Sequence, residues 1–318
     1  MTKYLIRRIL LSIPVLVMIT VIIFALMEVA PGDAVDYFRP PDLVMTEEAT
    51  QALRERFGLD QPAPVRYIQW LSNVLKGDLG YRFTDGEAVS TIVGRRLGAS
   101  LLLMGTALAI GVLVGVPLGV FIGQKQYSLW DFSLTGLSFL GISMPSFIAG
   151  LIALLIFSVK LGWFPAGGMR PVTSEPTLWT TLYHLALPSV VLSLGFIATF
   201  MRYSRFSMLE VVRMDYVNSA RAKGISNRAV TWRHIVPNAI LPVITVIGLS
   251  IPALVVGAVF TETVFSWPGM GSLYLEAVRG RDIPLLMGMT LVIAIFVLGA
   301  NILTDVAYAI VDPRIRYD

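Results

Sequence analysis

Six stretches without a single Lys, Arg, Asp or Glu dominate the sequence: 9–27, 97–123, 132–159, 185–201, 235–261 and 283–304. A bilayer needs about 20 apolar residues per helix, and a charge at a helix centre costs about 2.5–3.5 kcal/mol. Bare runs of this length therefore read as membrane spans. Only 14% of the 318 residues are charged and 55% are hydrophobic, against about 25% charged in a soluble domain, so no soluble surface can be built. The expected fold is all-α and polytopic, one transmembrane domain over 1–318 with six helices. The second run, straight, is about 40 Å long and must tilt or protrude from a core of about 30 Å. The fourth, starting just after His184, is the shortest. Lys3, Arg7 and Arg8 precede the first run. That run exceeds a signal-peptide core of about 7–15 residues and its tail, Met27 to Pro31, lacks an A-x-A site, so it reads as an uncleaved anchor.

The charges sort by side. With the N-terminus inside, the inner side holds 13 basic and 6 acidic residues and the outer side 12 and 15. The inner basic residues crowd short loops beside span ends, which is the arrangement that sets orientation. Both termini are then cytoplasmic. Arg95 and Arg96, at the outer edge of the second span, run against this pattern.

The outer segment, 31–96, reads as folded. Thr46 can cap a helix with Glu47 and Glu48 in its first turn, Arg54 and Arg56 in its last and Gly58 beyond it. A second helix is expected over 65–76, where Val65, Ile68, Leu71, Val74 and Leu75 form an apolar stripe closed by Gly77. The segment is either a cap on the outer membrane surface or a dock for an external partner.

In the second span Gly111, Gly115, Gly119 and Gly123 recur at every fourth position, the spacing that lets another helix approach closely. Pro117, Pro145, Pro188, Pro242 and Pro252 permit bends. Several chemistries are excluded. Without cysteine there is no disulfide, thiolate metal site or thiol catalysis, and two histidines, His184 and His234, make a multi-histidine metal site untenable. There is no H-E-x-x-H, and no Gly-Lys pair for a Walker A loop. Nucleic-acid binding is not indicated. An intramembrane ionisable group marks function by default, yet Asp305, Glu28 and Glu262 lie only at span ends. Uphill transport would need energy from another subunit.

The inner segment 202–234 carries seven basic and two acidic residues, which positive-inside bias alone would explain. Its order says more. A helix through Asp215, Tyr216, Val217, Asn218, Ser219, Ala220, Arg221, Ala222 and Lys223 ends at Gly224, Ser226 can cap the next helix, and Pro237 enters the following span. Two helices meeting at a glycine make a rigid corner. Ser219-Ala220, three residues, Gly224, and Pro237 thirteen positions on resemble the EAA loop of ABC importer permeases. Asn218 replaces the loop's Glu, Ser219 its first Ala, His234 its Ile and Val236 its Leu. Ala220-Arg221-Ala222-Lys223-Gly224 is similar to the dipeptide, oligopeptide and nickel branch, B-type membrane subunit. So are Tyr4 to Arg8, Ala30 to Asp33, Gly77 to Gly80, Phe265 to Gly269 and Asp312 to Arg316, and the resemblance covers essentially the whole chain.

The resemblance implies a type I importer permease in a bacterial or archaeal cytoplasmic membrane. It implies pairing with a homologous second permease, two ATPase subunits and an extracytoplasmic solute-binding protein, for import of dipeptides or oligopeptides. No cofactor is expected on this chain, ATP and Mg belonging to the ATPases, and no enzymatic activity. Asp215 to Gly224 would be the coupling helix, Gly224 its pivotal residue. Arg221 and Lys223 either contact acidic groups of the ATPase or are solvated positive-inside charges; Asp215 either caps its helix or pairs with Arg213 or Arg221.

Ser138, Ser143, Ser146, Ser189, Ser193 and Asn301 are polar groups within spans, and Met144-Pro145 marks a bend. Each serine faces cargo or bonds to helix backbone. Nickel, oligosaccharide and glutathione are alternative cargoes for the same machinery, and an ATPase-independent channel or carrier is an alternative from another class.

Overall fold

The computed structural model describes residues 2–29, 46–56, 58–171, 175 and 177–311. Within them the regular structure is helical, apart from one isolated antiparallel bridge between Tyr81 and Ala88. The motifs at 30–33 and 312–316 lie outside the described residues.

The first span is α1, Thr2–Val29. Helix α2, Glu47–Arg56, is capped by Thr46, whose Oγ1 accepts from the Ala49 amide at 3.3 Å, and the chain turns at Gly58 with φ +66°. Helix α3, Ala63–Leu75, starts two residues earlier than expected because Pro64 fits its first turn without needing a donor while the Pro62 carbonyl accepts from the Val65 and Arg66 amides, and it stops before Gly77 at φ +86°.

The second span is one continuous helical rod of 36 residues, Val89–Gln124. It comprises α4, Val89–Ile110, a π-helical turn at Gly111–Gly115, and α5, Val116–Gln124. It therefore begins eight residues before the charge-free run, with Arg95 and Arg96 on the helix itself. Glu87 lies 3.1 Å from Arg95 and Glu276 3.5 Å from Arg96, so the two charges are partnered where the helix passes them.

The third span is not straight. Helix α6, Leu129–Ser143, and α7, Ser146–Ala153, which runs on through a π-helical stretch to Lys160, meet at 100°. Pro145 excludes helical backbone at Met144, which is extended at φ −85°, ψ 118°. Among the described residues there are thus five helices long and apolar enough to cross a membrane, and six spans if the bent pair is one of them.

The fourth span is also longer than its apolar run: α8, Leu178–Val211, has 34 residues. Thr177 and Thr180 form a capping box at its start. At its far end Arg202 sits over the Phe139 ring, 5.1 Å from the centroid, and Arg205 pairs with Asp131. Asp215–Ala222 is α9 and Asn227–Val230 is α10. A π-helical turn, Thr231–Ile235, leads into α11, Val236–Ser250. The short α12, Ala253–Val256, ends that span at Gly257, φ +78°, instead of Thr261. Then come α13, Val259–Val264, and α14, Met270–Arg279. The last span is α15, Ile283–Val311. Asp282 accepts from the Leu285 amide at 3.1 Å, capping α15, and from the Phe83 amide at 2.7 Å.

Helix α8 is the axis, in contact with α4, α5, α6, α7 and α11, while α1 packs on α15 at the periphery. The bundle has two ends: a hairpin end, with 81–88 and 257–282, and a corner end, with 213–226.

Candidate functional site

At the corner end, α9 buries Val217 and Ala220 among Met208, Val211, Val230, Ile235 and Ala239. This apolar patch fixes α9 to the last turn of α8 and the first of α11. Asp215, Tyr216, Asn218, Ser219, Arg221, Ala222, Lys223 and Gly224 remain exposed. Gly224, at φ +77°, donates its amide to Arg221 O at 3.0 Å, and Ser226 Oγ accepts from Ala229 N at 3.4 Å. The result is a hard corner: one face is welded to two spans and the other is bare. Among the described residues Asp215 pairs with neither Arg213 nor Arg221; it occupies the first turn of α9.

The glycine repeat lies against α8. A Cβ on Gly111 would stand 2.4 Å from Phe196 Cβ, on Gly115 2.7 Å from Ile197 O, on Gly119 2.4 Å from Met201 O and on Gly123 2.6 Å from Met208 Cβ. No side chain fits there, so the backbones of the second and fourth spans touch along about three turns.

Sequence reasoning did not find the Asp131–Arg205 pair. Asp131, 3% exposed, accepts from Arg205 through both carboxylate oxygens, at 2.5 and 2.8 Å, and from the Tyr127 amide at 3.0 Å. A two-pronged guanidinium contact of this kind fixes orientation as well as distance, and it ties the start of α6 to α8. The signal was an acid immediately before one apolar run and a base just after another.

Between α6, α7 and α8 runs an apolar groove of about 760 Å³. Met144, Ser146 and Ser138 border it, with Gly141, Gly195 and Ser250. Ser143, Ser193 and Asn301 are not among its lining residues. Ser193 is fully buried and donates to Val190 O at 2.8 Å, Ser189 to Ala186 O at 3.0 Å, and Ser138 to Thr135 O at 2.7 Å, so these hydroxyls serve helix backbone. Ser146 instead lies 3.3 Å from Thr261 Oγ1.

That contact leads to a feature sequence reasoning read only as a motif. Residues 257–269 fold into a plug over the hairpin end of α4. Glu262, fully buried, accepts from Ser100 Oγ at 2.8 Å, Ala258 N at 3.3 Å and Ser272 N at 2.9 Å. Ser100 Oγ in turn accepts from Met270 N at 2.7 Å, and Trp267 Nε1 donates to Ala99 O at 2.9 Å. Gly257 and Gly269 wrap the carboxylate so tightly that a Cβ on Gly269 would lie 2.3 Å from Glu262 Cδ. Gly168 N donates to Phe265 O at 2.8 Å, joining the plug to the loop after α7.

Beside the plug, Arg82 contacts Asp85, Glu87 at 3.7 Å and Glu276 at 3.2 Å. Hydrogen bonding to Arg82 draws the Asp85 carboxyl down to about 2, and the same bond raises the Arg82 guanidinium. Burial pushes the Asp282 carboxyl up, against its backbone hydrogen bonds from Phe83 and Leu285. No group of three or more His, Asp or Glu able to hold a metal occurs among the described residues.

Two family patterns match the chain. Residues 1–104 match the N-terminal part of a binding-protein-dependent transport system membrane component, and residues 115–317 match the binding-protein-dependent transport system inner membrane component. A protein named as a peptide permease in Brucella suis is 45% identical over 317 residues, 99% of each chain. The oligopeptide transport system permease protein AppB of Bacillus subtilis is 41% identical over 322 residues, covering all of both chains. Among solved structures, a chain of the MetNI methionine ABC transporter in an inward-facing conformation superposes with a TM-score of 0.56 at 15% identity, covering 70% of this chain and 97% of that one. That likeness concerns the fold.

Proposed function

The chain belongs to the binding-protein-dependent transport system inner membrane components, and from that membership we propose that it forms half of an ATP-driven pathway importing peptides. It is a multi-pass permease subunit of the inner membrane, and the family works with an ATPase and a binding protein. The observation that carries the peptide cargo is the end-to-end likeness to oligopeptide and peptide permeases at 41% and 45% identity. The groove fits such a cargo: it is apolar, without a charged side chain among its lining residues, and suited to passing varied side chains without gripping them.

In this reading the corner end is cytoplasmic, as are both termini, and the hairpin end faces out. A homologous second permease closes the open side of the groove. Two ATPase subunits, holding ATP and Mg, receive α9 on its bare face. Closure of the ATPase pair pushes α9; because Val217 and Ala220 are buried against α8 and α11, the push moves both spans together. The plug at 257–269 closes the groove toward the hairpin end, leaving the pathway open toward the corner end. Reversing such a population from 1:99 to 99:1 takes about 5.5 kcal/mol of differential interaction, which a floppy corner could not transmit.

The test is reconstitution. In proteoliposomes holding both permeases and the ATPases, a labelled oligopeptide should enter only with ATP and loaded binding protein present. Flux through this chain alone, without ATP, would establish a channel or carrier instead. ATP-driven uptake of nickel, an oligosaccharide or glutathione but of no peptide would correct the cargo.

A further inference from the structure

Positive charge is scarce beside span ends on the outer side of most membrane proteins, yet four arginines line hollows at the hairpin end of this one. Two adjoining hollows of about 590 and 460 Å³ open there, sharing Arg96, Ser266 and Pro268 as common wall. Arg95 and Arg170 border the first and Arg279 the second. Asp85, Glu87 and Glu276 match Arg82, Arg95 and Arg96 one for one, and Glu262, which also lines the second hollow, is occupied by Ser100, Ala258 and Ser272. Glu87 and Glu276, the partners of Arg95 and Arg96, are both shared with Arg82. Arg170 and Arg279 are exposed and have no ion pair among the described residues.

The position is as telling as the charge. Ser266 and Pro268 belong to the plug, and the other side of the plug touches the groove through Thr261 and Ser146. The cleft and the groove therefore lie on opposite sides of one closure. A guanidinium matches a carboxylate in a two-pronged planar contact, and the cleft's concave shape suits a chain terminus better than a flat protein surface.

We propose that this cleft, rimmed by Arg95, Arg96, Arg170 and Arg279, binds the C-terminal carboxylate of the incoming peptide before the plug opens. The proposal rests on the peptide-import reading above. Arg170 and Arg279, with no ion pair among the described residues, supply the net charge, and the two paired arginines set the spacing. The shared chemistry, a carboxylate, has a second source in acidic side chains of the docking binding protein, and the experiment separates the two.

The complete transporter in an uncharged detergent is titrated into N-terminally fluorescein-labelled trialanine, as free acid and as C-terminal amide, and anisotropy is read without binding protein. The wild type should bind the acid at least tenfold more tightly than the amide. R170Q/R279Q should abolish that preference, weakening the acid about tenfold and leaving the amide unchanged, with an unaltered melting temperature because both residues are exposed. Equal binding of acid and amide by the wild type, or a preference surviving in the double variant, overturns the proposal. So does a double variant whose only defect is weaker docking of the loaded binding protein, because the carboxylates are then the protein's. If the wild type imports no peptide in proteoliposomes, the functional reading falls; if it imports peptide but shows no acid preference, only the cleft assignment falls.

Discussion

A side chain at Gly119 has nowhere to go, with Met201 O 2.4 Å and Ser204 Cβ 2.5 Å from where its Cβ would be. Overpacking of this sort costs about 1–3 kcal/mol, so Gly119→Val should lower the melting temperature of the purified protein. Gly105→Ala, with nothing within 4 Å of the added carbon, should leave it in place. The Asp131–Arg205 pair makes an ordered prediction. Arg205→Gln strands a carboxylate whose side chain is 4% exposed, whereas Asp131→Asn strands a guanidinium that is 26% exposed and reaches water. Arg205→Gln should therefore be the more destabilising, by about 2 kcal/mol after allowing for the exposed partner. Asp85 makes a prediction in pH. Its carboxyl is held at about 2 in the fold against an ordinary 3.8. A lowered carboxyl stabilises above its unfolded value and loses that contribution as pH falls through the folded one. Hydrogen exchange of amides 81–88, corrected for intrinsic rates, should accelerate between about pH 4 and pH 2, and Asp85→Asn should remove the dependence.

At the scale of elements, charge-free runs located the five long apolar helices and the bent pair but misplaced most of their ends. A lone charge in lipid ends a helix on energetic grounds; a paired one does not. Arg95, Arg96 and Arg205 each have a carboxylate within reach, so α4 and α8 continue through them. Those partners come from distant parts of the chain and are invisible to a reading of local composition. Gly257 ended the fifth span early for a similar reason: its left-handed backbone exists to wrap Glu262, a contact made only once the plug has folded. Thr46, Gly58, Gly77, Gly224 and Ser226, by contrast, were legible because capping is local. The groove was only half legible. Met144 and Ser146 flank the Pro145 break that any reading would notice, whereas Ser193 is fully buried against its own helix backbone while Ser146 stands open to the groove, a difference set by tertiary packing. The plug is the element most open to test. Glu262→Gln replaces an acceptor-only group with one whose NH2 must face the amide of Ala258 or Ser272. A buried donor left facing a donor costs about 1–3 kcal/mol, and limited proteolysis should then cut within 257–269 faster than in the wild type.

At the scale of the whole molecule, a permease subunit that passes on motion from its partners needs stiff contacts between its spans. The glycine seam supplies it between the second and fourth spans, and the apolar patch under α9 supplies it at the corner. The central claim is that the corner carries the energy of the ATPases into the spans. Gly224 tests it most directly. Its φ of +77° strains any L-residue, while the space around its missing side chain is open. Gly224→Asp should distort the corner without blocking assembly. The measurement is ATP-dependent peptide uptake into proteoliposomes by the complete transporter carrying Gly224→Asp, with ATPase co-purification as the control. At least a tenfold loss of uptake by a complex that still holds both ATPase subunits is the predicted result. Uptake at the wild-type rate would contradict it.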